Sequence, residues 1–162
     1  TFAVFGFPFI VLGVHLICIL ATCMDPKKNQ VGDKIFKVVL WIVPIISWFS
    51  SLTTYVYNLN LTINITMCAM VLLGVIFIVV GNYMPKCRQN YTIGIKIPWT
   101  LHDEENWNHT HRLAGRLWII CGALFVILAF LGFGSSVLLP LIAAIMVVVP
   151  IVYSFIFYVK HK

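Results

Sequence analysis

Five apolar stretches, each close to the ~20 residues that a bilayer core requires, divide this chain. They run over about 2–23, 37–57, 61–83, 113–133 and 137–159. Each reads as a transmembrane helix, because a segment in lipid must satisfy its backbone groups internally. The expected fold is all-α, a single polytopic bundle spanning 1–162, with a structured connection at 84–112. Pro8, Pro44, Pro140 and Pro150 fall inside spans, where kinks are tolerated when neighbours satisfy the freed carbonyls. Gly6/Gly13, Gly74/Gly81 and Gly115/Gly122 are each seven residues apart, so each pair shares a helix face and predicts close packing.

Charge sharpens this picture. Every Lys and Arg lies in 24–37, 83–116 or 160–162, and all five carboxylates fall in the first two segments. Threading a membrane through the apolar spans puts every charge on one side. Short cytoplasmic loops retain Lys and Arg, so 24–36, 84–112 and 160–162 are expected inside, with the first residue outside. An odd span count in that orientation suits a six-span parent whose first span is missing. The chain begins at Thr1 and is expected to lack natural N-terminal sequence. Trp41, Tyr83 and Tyr158 fall at the expected inner boundary, and Tyr55 and Tyr57 at the outer one.

Composition agrees. The chain is 61% hydrophobic and 10% charged, with mean hydropathy +0.99; soluble domains average about 25% charged. The net charge of +6 follows from the loop bias, so no direct nucleic-acid partner is expected. Cys18, Cys23, Cys68, Cys87 and Cys121 show no CxxC spacing and read as reduced thiols. The four Asn-x-Thr matches, at Asn60, Asn64, Asn90 and Asn108, read as chance.

The 81–115 segment is too long for a minimal connection. Its aromatics (Tyr83, Tyr91, Trp99, Trp107), punctuated by Pro and Gly, argue for order. Pro85 should end the third span, while Gly94 and Pro98 favour a compact turn. Thr100 and Asp103 resemble a capping box, followed by Glu104 and Glu105 in the first turn of a helix. That helix should begin near 101 and run on into the fourth span. Arg112 and Arg116 share its face at headgroup depth, available to lipid phosphate, to Asp103 or Glu104, or to a partner.

The run Gly81-Asn82-Tyr83-Met84-Pro85-Lys86, then Asn90, Gly94-Ile95-Lys96-Ile97-Pro98-Trp99-Thr100, Trp107, Thr110-His111-Arg112 and Gly115, resembles the SdpI family. The Asp25-Pro26-Lys27-Lys28 connection also resembles that family. Two departures stand out. Lys96 replaces the family's usual arginine, and the family's first span and external loop are absent. The resemblance implies a bacterial cytoplasmic-membrane protein that confers immunity to a secreted membrane-active peptide toxin. It also implies a sensor that draws a transcriptional repressor to the inner face. The implied functional loop comprises Asn82, Tyr83, Pro85, Lys86, Asn90, Gly94, Lys96, Pro98, Trp99, Thr100, Trp107, Thr110, His111, Arg112, Gly115 and Arg116. Of these, Asn82, Lys86, Asn90, Lys96, Trp99, Thr100, Trp107, His111 and Arg112 are expected to form the working surface.

Other chemistry is weaker. A small-molecule transporter or channel is the alternative, but no Asp, Glu, Lys or Arg occupies a span core. His15 reads as a neutral imidazole bonded to a neighbouring helix. Cys87, His102, Asp103, His109 and His111 share a loop without a metal-site spacing, so neither metal nor cofactor is expected. No nucleophile elbow or HExxH accompanies His111, which reads as a tie between the helix and the 94–100 turn, and no catalysis is expected. Ser47, Ser51, Thr54, Asn58 and Asn64 predict interhelical hydrogen bonds near the outer face, or a weakly polar cleft there.

Overall fold

In the computed structural model, the apolar stretches are helical and the charged segments meet at one end. Residues 2–27, 31–60, 62–133 and 137–161 are described. Expectations touching Thr1, Lys28, Leu61, 134–136 and Lys162 lie outside the described residues. The helices are α1 (Phe2–Cys23), α2 (Asp33–Asn58), α3 (Ile65–Tyr83), the short α4 (Pro98–His102), α5 (Glu104–Phe130) and α6 (Leu138–Lys160). A 3-10 turn, Met84–Lys86, follows α3. No strand occurs among the described residues.

Local chemistry sets the helix ends. The second helix begins at Asp33, four residues ahead of the apolar run, with a carboxylate in the first turn where the helix dipole favours it. The third begins only at Ile65, because Asn64 caps it by accepting the Met67 N–H at 3.0 Å. Pro140 lies in the first turn of α6, where a missing N–H costs no intrahelical bond.

The main packing seam joins α3 to α5. A Cβ on Gly74 would lie 2.6 Å from the Gly122 carbonyl oxygen, and one on Gly81 would lie 2.8 Å from that of Gly115. The two glycine pairs thus face each other, and the backbones approach directly. Helix α6 closes the other side of α5 through an apolar cluster of Cys121, Phe125, Ile142 and Met146. Phe77 joins this cluster edge-on to Trp118 and Phe125, with centroids at 5.7 and 5.6 Å. By contrast, α1 and α2 pair with each other, and α2 touches α3 only sparsely.

The outside of the bundle is apolar. Phe9, Ile17, Trp48, Ile120, Phe130 and Val137 are all exposed. Water would penalise such a belt, whereas lipid would not. Helices α2, α5 and α6, and α3 with its 3-10 extension, are long and apolar enough to cross a membrane.

A buried polar hub at the charged end of the bundle

The connection from Met84 to Asp103 folds onto the start of α5, where Cys87 and Trp107 share a small apolar core with Val31 and Ile35. Trp107 and His111 lie one turn apart on α5 and stack, with ring centroids 4.0 Å apart. Both are essentially inaccessible to solvent. The Trp107 indole N–H donates to the Cys87 carbonyl at 2.8 Å. His111 Nδ1 lies 2.8 Å from the Trp107 carbonyl, and Nε2 accepts the Ile95 N–H at 3.0 Å. This pattern assigns the neutral imidazole protonated at Nδ1. His111 therefore ties α5 to the 94–100 turn, as the sequence reading anticipated. Gly94 is required beneath it. Its φ is +121°, and a Cβ there would lie 2.5 Å from His111 Nε2.

Asn90 organises the rest of the turn. Its Nδ2 donates to the Arg88 and Ile93 carbonyls at 2.8 and 3.0 Å. Its Oδ1 accepts the N–H groups of Thr92 and Ile93 at 2.9 and 2.6 Å. Thr100 accepts the Ile97 N–H at 3.1 Å, with the Ile95 carbonyl 2.8 Å away. The expected Thr100–Asp103 capping box does not form. Pro98 opens a separate helical turn that Thr100 closes, and extended backbone at Asp103 then starts α5 anew. Asp103 is the N-cap, accepting the Glu105 and Asn106 N–H groups at 2.9 and 3.2 Å. Trp99 packs between the rings of Phe155 and Tyr158 on α6, at 5.5 and 6.1 Å.

These positions divide the expected functional loop in two. Asn90, Thr100, Trp107, Thr110, His111 and Gly115 are buried. Tyr83 and Trp99 are half-buried, whereas Asn82, Pro85, Lys86, Gly94, Lys96, Pro98, Arg112 and Arg116 are exposed. The interior residues build the hub, and the exposed Lys86, Lys96, Arg112 and Arg116 are the cations placed to meet another molecule. Arg112 and Arg116 have no carboxylate within ion-pair distance among the described residues, so pairing with Asp103 or Glu104 is not observed. The expected partner of His15 is also missing, since its Nδ1 is buried without a hydrogen-bond partner among the described residues. Near the far end, Thr54 donates to Ser50 and Asn58 to Thr54 within α2, rather than across helices.

Several hub residues escaped the sequence reading. Asn106 donates to the Ser154 carbonyl at 3.0 Å and accepts from Thr110 and Ser154 at 3.0 and 2.7 Å, locking α5 to α6. The spacing of Asn106 and Thr110, four apart on one face, was the available signal. Gln89 joins the Thr100 and Leu101 carbonyls at 2.9 and 3.0 Å, and accepts from Lys27 Nζ at 2.8 Å.

Asp25 draws the first connection into the hub. It is buried and accepts the Lys27 N–H at 2.7 Å, the Tyr91 N–H at 3.0 Å and the Thr92 hydroxyl. Burial alone would raise its pKa, but the bonds from Thr92, Lys27 and Tyr91 outweigh burial and hold the carboxyl below its ordinary value. Cys87 shows the opposite balance. Burial pushes its thiol up, against a smaller effect from Asn90. The Asp25 contribution to stability is complete above the ordinary carboxyl pKa of 3.8 and is lost as pH falls through the lower folded value. Amide exchange at Tyr91 and Thr92 should therefore accelerate as pH drops below about 4, after correction for intrinsic rates. Asp25→Asn should remove that acid dependence; an unchanged acid profile would contradict the assignment.

An apolar helical belt capped at one end by a buried polar hub defines a polytopic α-helical membrane protein. Residues 86–154 match the family model described as the SdpI/YfhL protein family. The chain is also 27% identical over 147 residues to the Immunity protein SdpI of Bacillus subtilis (strain 168), covering 88% of this chain and 67% of that protein. The resemblance carried by the 81–115 residues thus agrees with both comparisons, and the chain is similar to the SdpI family. No solved structure matches it.

Proposed function

We propose that this protein is an immunity and signalling protein of a bacterial cytoplasmic membrane. It protects the cell against a secreted membrane-active peptide, and its hub faces the cytoplasm as a platform for a transcriptional repressor. The likeness to an immunity protein along most of the chain supports the first part. One observation carries the second. A loop with few charged side chains inside it is built around Asn90, Trp107 and His111, while Lys86, Arg88, Lys96 and Arg112 are left exposed around it. Such a rigid, basic-rimmed surface suits recognition better than catalysis. It is continuous with α5, so a shift of that helix would be felt at both faces; coupling of this kind needs two states with different affinities.

The test separates the exposed cations from the interior. Arg112→Ala and Lys96→Ala should leave insertion and melting temperature unchanged. Together they should lower survival of toxin-challenged cells, or repressor recruitment, by about tenfold, the effect of roughly 1.4 kcal/mol. Wild-type survival and recruitment in that double variant would refute the platform. A membrane-impermeant thiol reagent should fail to label Glu104→Cys from outside intact cells; labelling would reverse the orientation.

A further inference from the structure

The hub and the α3–α5 seam are tightly packed, yet α2 stands away from α3 and leaves a cleft of about 470 Å³. Its walls are apolar, with Val38, Ile42, Val75 and Val79 among them. Two cations break the pattern. Lys34 and Lys37 both line its charged end, and Trp41 follows one turn further along. A second apolar cavity of about 250 Å³ continues from the first. The two share Val38, Ile42 and Tyr83, and the inner one is floored by Gly94 and His111 of the hub.

The chemistry of this space is amphiphilic. Among the described residues, no carboxylate lies within ion-pair distance of Lys34 or Lys37. An occupant must therefore present an anionic head to the lysines and an apolar tail to the walls. Its length is also bounded. Lys34 to Ile45, both lining the cleft, spans eleven residues of α2, or about 16 Å at the α-helical rise. That is about half of the ~30 Å hydrocarbon core, the depth of one leaflet.

We propose that the α2–α3 cleft is a binding site for one anionic phospholipid of the adjoining leaflet, with its phosphate on Lys34 and Lys37 and one acyl chain along Ile42 and Val79. The chain keeps α2 apart from α3 by filling the space that direct helix contact would otherwise close. Lysines at headgroup depth supply the preference for negative charge, and the apolar walls supply binding area that is not charge-selective.

Native mass spectrometry of the full chain, released from nanodiscs of equal phosphatidylglycerol and phosphatidylcholine, tests this. The protein should retain phosphatidylglycerol over phosphatidylcholine by at least about fivefold per lysine. The exposed pair K34Q/K37Q should bring the ratio close to parity while helicity and melting are unchanged. Lys160→Gln, at a lysine that does not line the cleft, should leave the ratio intact. Val79→Trp, or Ile45→Trp on the opposite wall, should lower retention of both lipids by filling the cleft. Parity in the wild type, an undiminished preference in K34Q/K37Q or an equal loss in Lys160→Gln would overturn the headgroup assignment. Unchanged retention in both tryptophan variants would overturn the position of the chain.

Discussion

Asn90→Ala is expected to unfold the 84–103 connection while leaving the helices of the bundle in place. The asparagine side chain is fully buried and serves four backbone groups of its own turn. Alanine leaves two N–H groups and two carbonyls short of a partner. Each unsatisfied buried group costs about 1–3 kcal/mol, so a total of roughly 4 kcal/mol is expected, a large part of typical stability. Asn90→Asp should not rescue the turn, because a carboxylate cannot donate to the Arg88 and Ile93 carbonyls. Asn82→Ala is the matched control, since Asn82 belongs to the same sequence pattern but is exposed. Its effect should stay within about 0.5 kcal/mol. Amide exchange at Thr92 and Ile93, with limited proteolysis of the connection, reads the difference. Wild-type protection in Asn90→Ala would show that the turn is held by something else.

The contrast between Asn82 and Asn90 shows where sequence reading stops. Apolar run length placed the helices, because each span must satisfy its own backbone in lipid. Glycines at sevenfold spacing marked the α3–α5 seam, because a repeated small face is a local property of a helix. The 84–103 connection has no such period. Nothing in its residue order distinguishes the interior Asn90 and Thr100 from the exposed Lys96, or from the exposed Asn82 at the end of α3. His111 was legible as a tie because it lies on a helix beside a Gly- and Pro-bearing turn. Asp25 was not among the candidate site residues, since its partners Tyr91 and Thr92 are more than sixty positions away. The helix start at Asp103 was obscured by Pro98, which inserts a separate turn before it.

The same logic makes the seam the most sensitive place in the membrane part of the chain. Gly115→Val should separate α3 from α5. An added Cβ at Gly115 would lie 2.6 Å from the Gly81 carbonyl oxygen and 2.8 Å from two carbons of the Pro85 ring. These neighbours are backbone and a rigid ring, so no side-chain rotation relieves the clash. Overpacking of this kind costs about 1–3 kcal/mol, with the upper end expected because Gly122 faces Gly74 along the same seam. Combining Gly115→Val with Gly122→Val should open the seam along its length and cost more than either alone. Gly13→Ala is the control, because among the described residues nothing lies within 4 Å of its added Cβ, so the close packing expected of the Gly6/Gly13 pair is not seen at Gly13. It should be neutral, or stabilising by up to ~1 kcal/mol through helix propensity. Detergent-unfolding titrations of the purified chain measure all four. Since Pro85 abuts Gly115, separation should also loosen the hub, and exchange at Ile95 should rise together with seam opening. A destabilised Gly115→Val protein with an unchanged Ile95 amide would show instead that the hub is supported by α5 and α6 without α3.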